Sequence, residues 1–298
     1  MRMIRSRNSL AAGIAVLAPQ EGGNDTRYPG ISLYRFTVSA PPTRYVYPSS
    51  LVLCGAGRKQ VSLGNKTLGY DAGHYLVVTS PMPILCRTIA SVDEPVLSMV
   101  VEIELALLRE LVLETSALPA ARLAGSTHTV FSALLSRDLE DAGARLLACL
   151  KEERRTRALA RQTIREMLFL VLDGPQGDSL RALAEGPASQ LADVVREMNT
   201  RFAERMAIGD LAQMAHMSVP TFHQHFKAMT GTSPLQYMKA VRLIRARQML
   251  LGGGMVKTVA HDVGYESETQ FSREYRRFFG SPPSHSHVAP HGRSRRVA

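Results

Sequence analysis

The sequence contains no tryptophan, and aromatic residues make up only 6% of it, so the places where rings cluster carry information. It has three cysteines in 298 residues, Cys54, Cys86 and Cys149, widely separated and odd in number. With no Cys-x-x-Cys pair and no Cys/His cluster, a disulfide framework and a zinc site of cysteines are both excluded, and the chain suits a reducing compartment. No apolar run approaches the ~18 residues that a membrane span needs. The longest such run, residues 10–19, follows a basic start. It lacks a good small-residue cleavage site, so an amphipathic N-terminal helix is expected rather than a secretory leader. Neither a Ser/His/Asp order nor a phosphate-cradling glycine loop stands out.

What the sequence does have is positive charge, unevenly placed. The formal net charge is +10 and the isoelectric point ≈ 9.8. From residue 188 onward there are 15 Lys+Arg against 8 Asp+Glu, whereas the preceding 187 residues hold 21 against 18. Seven of the nine histidines also lie in the last third. A compact basic module is the electrostatic footprint of a polyanion partner; a need for solubility alone would not concentrate it. The length suggests two domains.

Residues 31–104 read as β structure. SLYRFTV, SSLVLCG, RKQVSLG, KTLGYD, HYLVVTS, ILCRTIA and VLSMVVEIE are short runs rich in Val, Leu, Tyr and Thr, separated by turn residues such as Gly64-Asn65 and Asp71-Ala72-Gly73. Their close spacing suggests a small barrel or sandwich. Helical periodicity follows: Phe131, Leu134, Leu135, Leu139, Leu146, Leu147 and Leu150 mark one apolar stripe, and residues 151–172 form a charged, then apolar helix. The small, polar stretch 184–189 is where a domain boundary is expected.

The last third contains an internal repeat. IGDLAQMAHMSVPTFHQHFKAMTGTSP and MVKTVAHDVGYESETQFSREYRRFFGSPP each place a short helix with a small residue (Ala212, Ala260) before a tight turn. Each then has a serine (Ser218, Ser267), a helix striped with rings (Phe222 and Phe226; Phe271 and Tyr275), and a terminating Gly and Pro. That is helix–turn–helix, twice. Gly264 suits a turn that needs positive φ. His216 stands at the matching position of the first copy, where the same backbone costs more strain. Ser267 with Gln270 predicts a capping box. Ser218 predicts an N-cap, with Pro220 in the first turn.

At 100° per residue the rings share one face of each second helix and hydrogen-bonding side chains take the other. A donor-rich helix of this kind fits the major groove, where Arg reads guanine and Gln reads adenine. Between the copies, PLQYMKAVRLIRARQMLL predicts a rod of about 27 Å at 1.5 Å per residue, able to hold two reading heads about one turn of DNA apart.

LAQMAHMSVPTFHQHFK, TSPLQYMKAVRL, and VGYESETQFSREYRRFFGSPP make the last ~100 residues resemble the DNA-binding domain of AraC/XylS-family transcription regulators. By position in that pattern, base contacts are expected from Pro220, Thr221, His223 and Gln224 and from Glu268, Thr269, Gln270 and Arg273. Phosphate contacts are expected from Lys227, Arg242, Ser272, Arg276 and Arg277. His216 departs from the family's usual glycine, and Glu268-Thr269 from a frequent Pro-Ser, so no operator sequence carries over.

YPSSLVLCGAGRKQVSLGNKTLGYDAGHYLVV and EPVLSMVVEIE resemble the AraC-type N-terminal domain. The resemblance implies an α+β chain: a cupin-like β-barrel with following helices over residues 1–186, then an all-α domain with two helix-turn-helix motifs over 187–285 and a disordered tail over 286–298. It further implies a cytoplasmic regulator, an activator, whose partners are double-stranded DNA, a small-molecule effector, RNA polymerase and a second copy of itself, with no cofactor and no membrane. The alternative is a ligand-independent regulator whose N-terminal domain only dimerises or binds protein. A cupin-type metalloenzyme would need His-x-His, a Glu and a further His on adjacent strands; only His74 lies in the β region, so enzyme activity and a metal site are not expected. A cysteine-based DNA-repair sensor would need four clustered cysteines, which three scattered ones cannot supply.

Overall fold

The computed structural model describes residues 4–63, 66–115 and 128–287. The expected N-terminal helix forms as α1 (Ile4–Leu17) and buries Leu10 and Ile14, four residues apart on one face. The strands that follow are β1 (Gly22–Asp25), β2 (Ile31–Phe36), β3 (Ala40–Tyr47), β4 (Ser50–Ala56) and β5 (Arg58–Leu63). After them come β6 (Lys66–Asp71), β7 (His74–Val78), β8 (Met82–Ile89) and β9 (Val96–Glu102). Helix α2 (Leu105–Thr115) precedes β10 (Val130–Leu134), and then come α3 (Arg137–Leu150), α4 (Glu153–Leu172), α5 (Gly177–Ala184) and α6 (Gly186–Thr200).

The strands make two sheets, one ordered β1-β2-β9-β4-β7-β10 and the other β3-β8-β5-β6. All seven strands read from the sequence are present. The Gly64-Asn65 turn lies outside the described residues, but β5 and β6 pair antiparallel up to Leu63 opposite Lys66. Phe131 and Leu134 are a correction: they sit in β10, paired antiparallel with β7, and not on the helical stripe. The helix of that stripe, α3, starts only at Arg137, where the Ser136 side chain accepts from the Leu139 amide.

Strand alternation decides what each face of the six-stranded sheet meets. Leu33, Met99 and Leu53 lie in register across β2, β9 and β4, and all three are buried. That face takes the helices: a Cβ on Gly143 of α3 would come within 2.7 Å of Leu53, 3.2 Å of Leu10 and 3.5 Å of Met99. The opposite register row, Tyr34, Ser98 and Cys54, faces the second sheet. Burial there pushes the Cys54 thiol up to about 12. The fold is thus an α+β one, with a cupin-like two-sheet barrel and following helices ahead of an all-α domain.

The remaining elements are α7 (Ile208–Met214), α8 (Val219–Thr230), α9 (Pro234–Leu251), α10 (Val256–Asp262), α11 (Glu268–Phe279) and a 3-10 turn, Pro283–His287. The chain divides into two compact units, the last backbone division falling between Ser189 and Gln190. The stretch 184–189, read as a boundary, contains the start of α6. Of the tail expected to be disordered, Ser286 is held: its hydroxyl lies 2.6 Å from the Tyr275 hydroxyl. The tail beyond 287 lies outside the described residues. Among the described residues no helix is long and apolar enough to cross a membrane, and no group of three His, Cys, Asp or Glu residues is placed to hold a metal.

Candidate nucleic-acid interface

The two repeats fold alike at the level of individual hydrogen bonds. In the first, the His216 amide donates to Gln213 O (2.9 Å) and the Met217 amide to Ala212 O (2.9 Å). In the second, the Gly264 amide donates to His261 O (2.9 Å) and the Tyr265 amide to Ala260 O (3.0 Å). Both central residues take positive φ: +53° at His216 and +84° at Gly264. Among the described residues His216 is the sole non-glycine to do so. Gly264 has a second constraint that the sequence did not reveal: a Cβ there would stand 2.2 Å from the Ala203 carbonyl oxygen.

Each turn delivers a capped helix. The Ser218 side chain accepts from the Thr221 amide and starts α8, with Pro220 in its first turn. Ser267 accepts from the Gln270 amide (3.3 Å) and starts α11. The expected capping box is only half made, because the Gln270 side chain turns forward and donates to Glu274 (3.4 Å). Gly231 and Gly280 end the two helices in the left-handed conformation at φ +75° and +81°.

The rings go inward. Phe222, Phe226, Phe271 and Tyr275 are fully buried. Phe226 packs edge-on to Tyr237 of α9 at 5.4 Å between centroids. At the far end of the same helix, Leu243, Ala246 and Leu250 join Val259, Ala260, Phe271 and Tyr275 in one core. Helix α9 therefore belongs to the cores of both repeats.

The polar side chains lie outward. Pro220, Thr221, His223, Gln224 and Lys227 of α8 are exposed, as are Glu268, Thr269, Gln270, Arg273, Arg276 and Arg277 of α11. Ser272 is half-buried. Ser272, Arg273, Arg276, Arg277 and Gly280 line one open recess. Two of these groups are partly engaged: the Thr221 hydroxyl lies 2.8 Å from the Ser218 hydroxyl, and Gln270 holds Glu274. Arg276 and Arg277 also sit in the last turn of α11, where cations complement the helix dipole.

Arg242 is a correction. Its Nε donates to Phe202 O (2.7 Å), Nη1 to Gly264 O (3.1 Å) and Nη2 to Glu204 O (2.8 Å). The guanidinium is half-buried and spent on three backbone carbonyls, so it is not free for phosphate. Two further arginines of α9 lie against rings, Arg245 over Phe202 and Arg247 over Phe279, 5.8 and 4.9 Å from the centroids, and the buried Arg245 Nε makes no hydrogen bond among the described residues.

A second fastening was not legible in the sequence. Glu274 of α11 accepts from Lys239 Nζ (3.0 Å), Tyr265 Oη (3.0 Å) and Gln270. Burial pushes its carboxyl up, but the three hydrogen bonds outweigh this and hold it below the usual carboxylate value. The chemistry of the whole surface is that of a donor-rich, cationic face on two fixed helices.

Comparison with known proteins agrees with this geometry. Residues 27–179 match the family described as the AraC-type transcriptional regulator N-terminus, and residues 211–286 match a helix-turn-helix domain. The HTH-type transcriptional regulator ExsA of Pseudomonas aeruginosa is 29% identical over 154 residues, 47% of either chain. The virulence regulon transcriptional activator VirF of Yersinia enterocolitica is 28% identical over 162 residues, 53% of this chain and 57% of its own. The chain thus spans about half the length of these curated relatives. In three dimensions it resembles ToxT from Vibrio cholerae, with a TM-score of 0.58 at 10% identity over 86% of this chain and 96% of that one; at this identity the likeness is one of fold. With the N-terminal match spanning more than half of its residues, the chain belongs to the AraC family of DNA-binding transcriptional regulators.

Proposed function

We propose that α8 and α11 enter successive major grooves of a promoter and that the N-terminal unit adjusts their grip in response to a small molecule. Pro220, Thr221, His223 and Gln224 on one helix, and Glu268, Thr269, Gln270 and Arg273 on the other, face base edges. Lys227, Ser272, Arg276 and Arg277 hold phosphates. The observation that carries this reading is the pair of exposed polar faces set on one shared helix. A lone basic amphipathic helix would be an ordinary solvated surface, whereas two copies with the same caps and turns make a reading device.

Activation in the cytoplasm, contact with RNA polymerase and pairing with a second copy complete the reading. The activator assignment is supported by the names of relatives such as VirF. The effector assignment is supported by the two-sheet N-terminal fold, shared with ToxT, a protein solved with an unsaturated fatty acid bound.

Salt-controlled titration against fragments recovered from protein-bound genomic DNA tests the DNA reading. Arg273→Ala should cost about 1–3 kcal/mol on the specific site and relax its sequence preference. Arg276→Ala should weaken all sequences alike and lower the salt slope by about 0.9. Unchanged affinity in both variants would refute the face assignment. For the effector reading, a ligand at 100 times its dissociation constant stabilises the protein by about 2.7 kcal/mol; silence across a broad metabolite library would favour a ligand-independent regulator.

A further inference from the structure

Glu274 lies on α11 one turn beyond Gln270, which stands among the exposed side chains of that helix. The Glu274 side chain is only 19% exposed. Its Oε1 accepts from Lys239 Nζ of α9 (3.0 Å), and its Oε2 accepts from the hydroxyl of Tyr265, a buried residue of the turn (3.0 Å). Two elements other than α11 therefore fix where the carboxylate sits. The third contact reaches the outward face: Gln270 Nε2 donates to the same Oε1 (3.4 Å).

The two ends of a side-chain amide are alike in shape and opposite in chemistry, so the end that faces outward decides what it reads. Here the carboxylate makes the choice. Burial pushes the Glu274 carboxyl up, but its three hydrogen bonds hold it below the usual carboxylate value. At neutral pH it is ionised and can only accept, so it takes the nitrogen of Gln270 and turns away its oxygen. One of the two N–H groups on Nε2 is then used. What remains for a base is one acceptor and one donor, side by side. Adenine alone offers the complement along its major-groove edge, with N6–H as donor and N7 as acceptor. Guanine presents two acceptors, thymine an acceptor and a methyl group, and cytosine a donor only. An amide able to turn over could offer its nitrogen to guanine or thymine instead. The first reading head has no such device. At the matching positions of α8 stand Thr221 and His225, and the Thr221 hydroxyl lies 2.8 Å from that of Ser218.

We infer that Glu274 is a positioning residue for base reading: it holds the Gln270 amide so that this side chain selects adenine. This rests on the DNA reading above, and it names one base of the site and the residue that enforces it.

The full-length chain is titrated at fixed salt against a fragment recovered from protein-bound genomic DNA and against its single-base-pair variants. The position whose preference is lost in Gln270→Ala is the one Gln270 reads; the position lost in Arg273→Ala is the control. At the Gln270 position an A·T pair in one orientation is expected, preferred about fivefold or more over the other pairs. In Glu274→Gln that preference should fall to about twofold or less, while the preference at the Arg273 position stays within about twofold of the parent's. Base analogues test the parent chain itself, whether or not the variant folds. Replacing the adenine by 7-deazaadenine, which lacks N7, should weaken binding about threefold or more. Replacing it by 2,6-diaminopurine, which alters only the minor-groove edge, should leave affinity within about twofold. A G·C preference at the Gln270 position, unweakened binding of 7-deazaadenine, an undiminished A·T preference in Glu274→Gln, or an equal loss at both positions each overturns the assignment. If Arg273→Ala relaxes a position and Gln270→Ala relaxes none, the assignment falls and the DNA reading stands. If neither variant relaxes any position, both fall.

Discussion

Arg242 provides the sharpest test of the structure against its sequence. Arg242→Ala removes three hydrogen bonds from a guanidinium to the carbonyls of Phe202, Glu204 and Gly264. Hydrogen bonds to charged groups contribute roughly 1.5–3 kcal/mol each. The site is half-buried and water can reach part of it, so the three together are discounted to about 2–4 kcal/mol. For a domain of this size each kcal/mol shifts the midpoint by about 4–8 °C, so a fall of roughly 10 °C or more is expected in the unfolding transition of the C-terminal unit. Calorimetry of the full chain measures it. Arg242→Lys keeps the charge but not the fork, and should recover less than half of the loss. Below the variant's midpoint, the salt slope of DNA binding should equal the parent's, since no phosphate contact has gone. The reverse pattern, an unmoved midpoint with a slope lower by about 0.9, would refute the internal role and return Arg242 to the DNA surface.

The two turns respond oppositely to substitution. Gly264→Ala should destabilise by more than about 2 kcal/mol in chemical denaturation, since left-handed backbone and a clash with the Ala203 carbonyl add. His216→Gly should leave stability unchanged or raise it by up to about 1 kcal/mol, because the strained φ is relieved at an exposed site. Ser267→Ala should cost about 1 kcal/mol through the lost N-cap, with increased amide exchange confined to the first turn of α11. Glu274 titrates lower in the folded chain than unfolded, so its stabilisation is full above the ordinary carboxylate value of 4.5 and is lost as pH falls through the depressed one. Glu274→Gln should therefore unfold with a weaker pH dependence below 4.5 than the parent, measured by denaturant midpoints.

The parts of the fold that were legible are those set by local pattern. Alternating Val, Leu and Tyr gave seven strands, and the ring stripes gave the inward faces of α8 and α11. The missed strands have local reasons. β1 is GGND, with neither β-branched nor aromatic residues. β3 carries Pro41 and Pro42, which disguise it, and it is tolerated because it lies at the edge of its sheet. β10, VFSAL, is mostly apolar and blended into the helical leucines beyond it. The role of Arg242 was hidden for a different reason: its three acceptors come from residues 202, 204 and 264, which only tertiary folding assembles.

Helix α9, whose Tyr237 end serves one core and whose Leu250 end serves the other, acts as a ruler. Its rise of 1.5 Å and turn of 100° per residue mean that one inserted residue would swing the heads about 100° out of phase, whereas seven would nearly restore the phase while adding roughly 10 Å. At 3.4 Å per base pair that is about three pairs, which themselves rotate the duplex by roughly 100°, so heads kept in phase by the insertion would no longer match the grooves of a site lengthened by the same distance. On the proposed DNA-reading function, the spacing between the two contacted grooves follows from the length of α9.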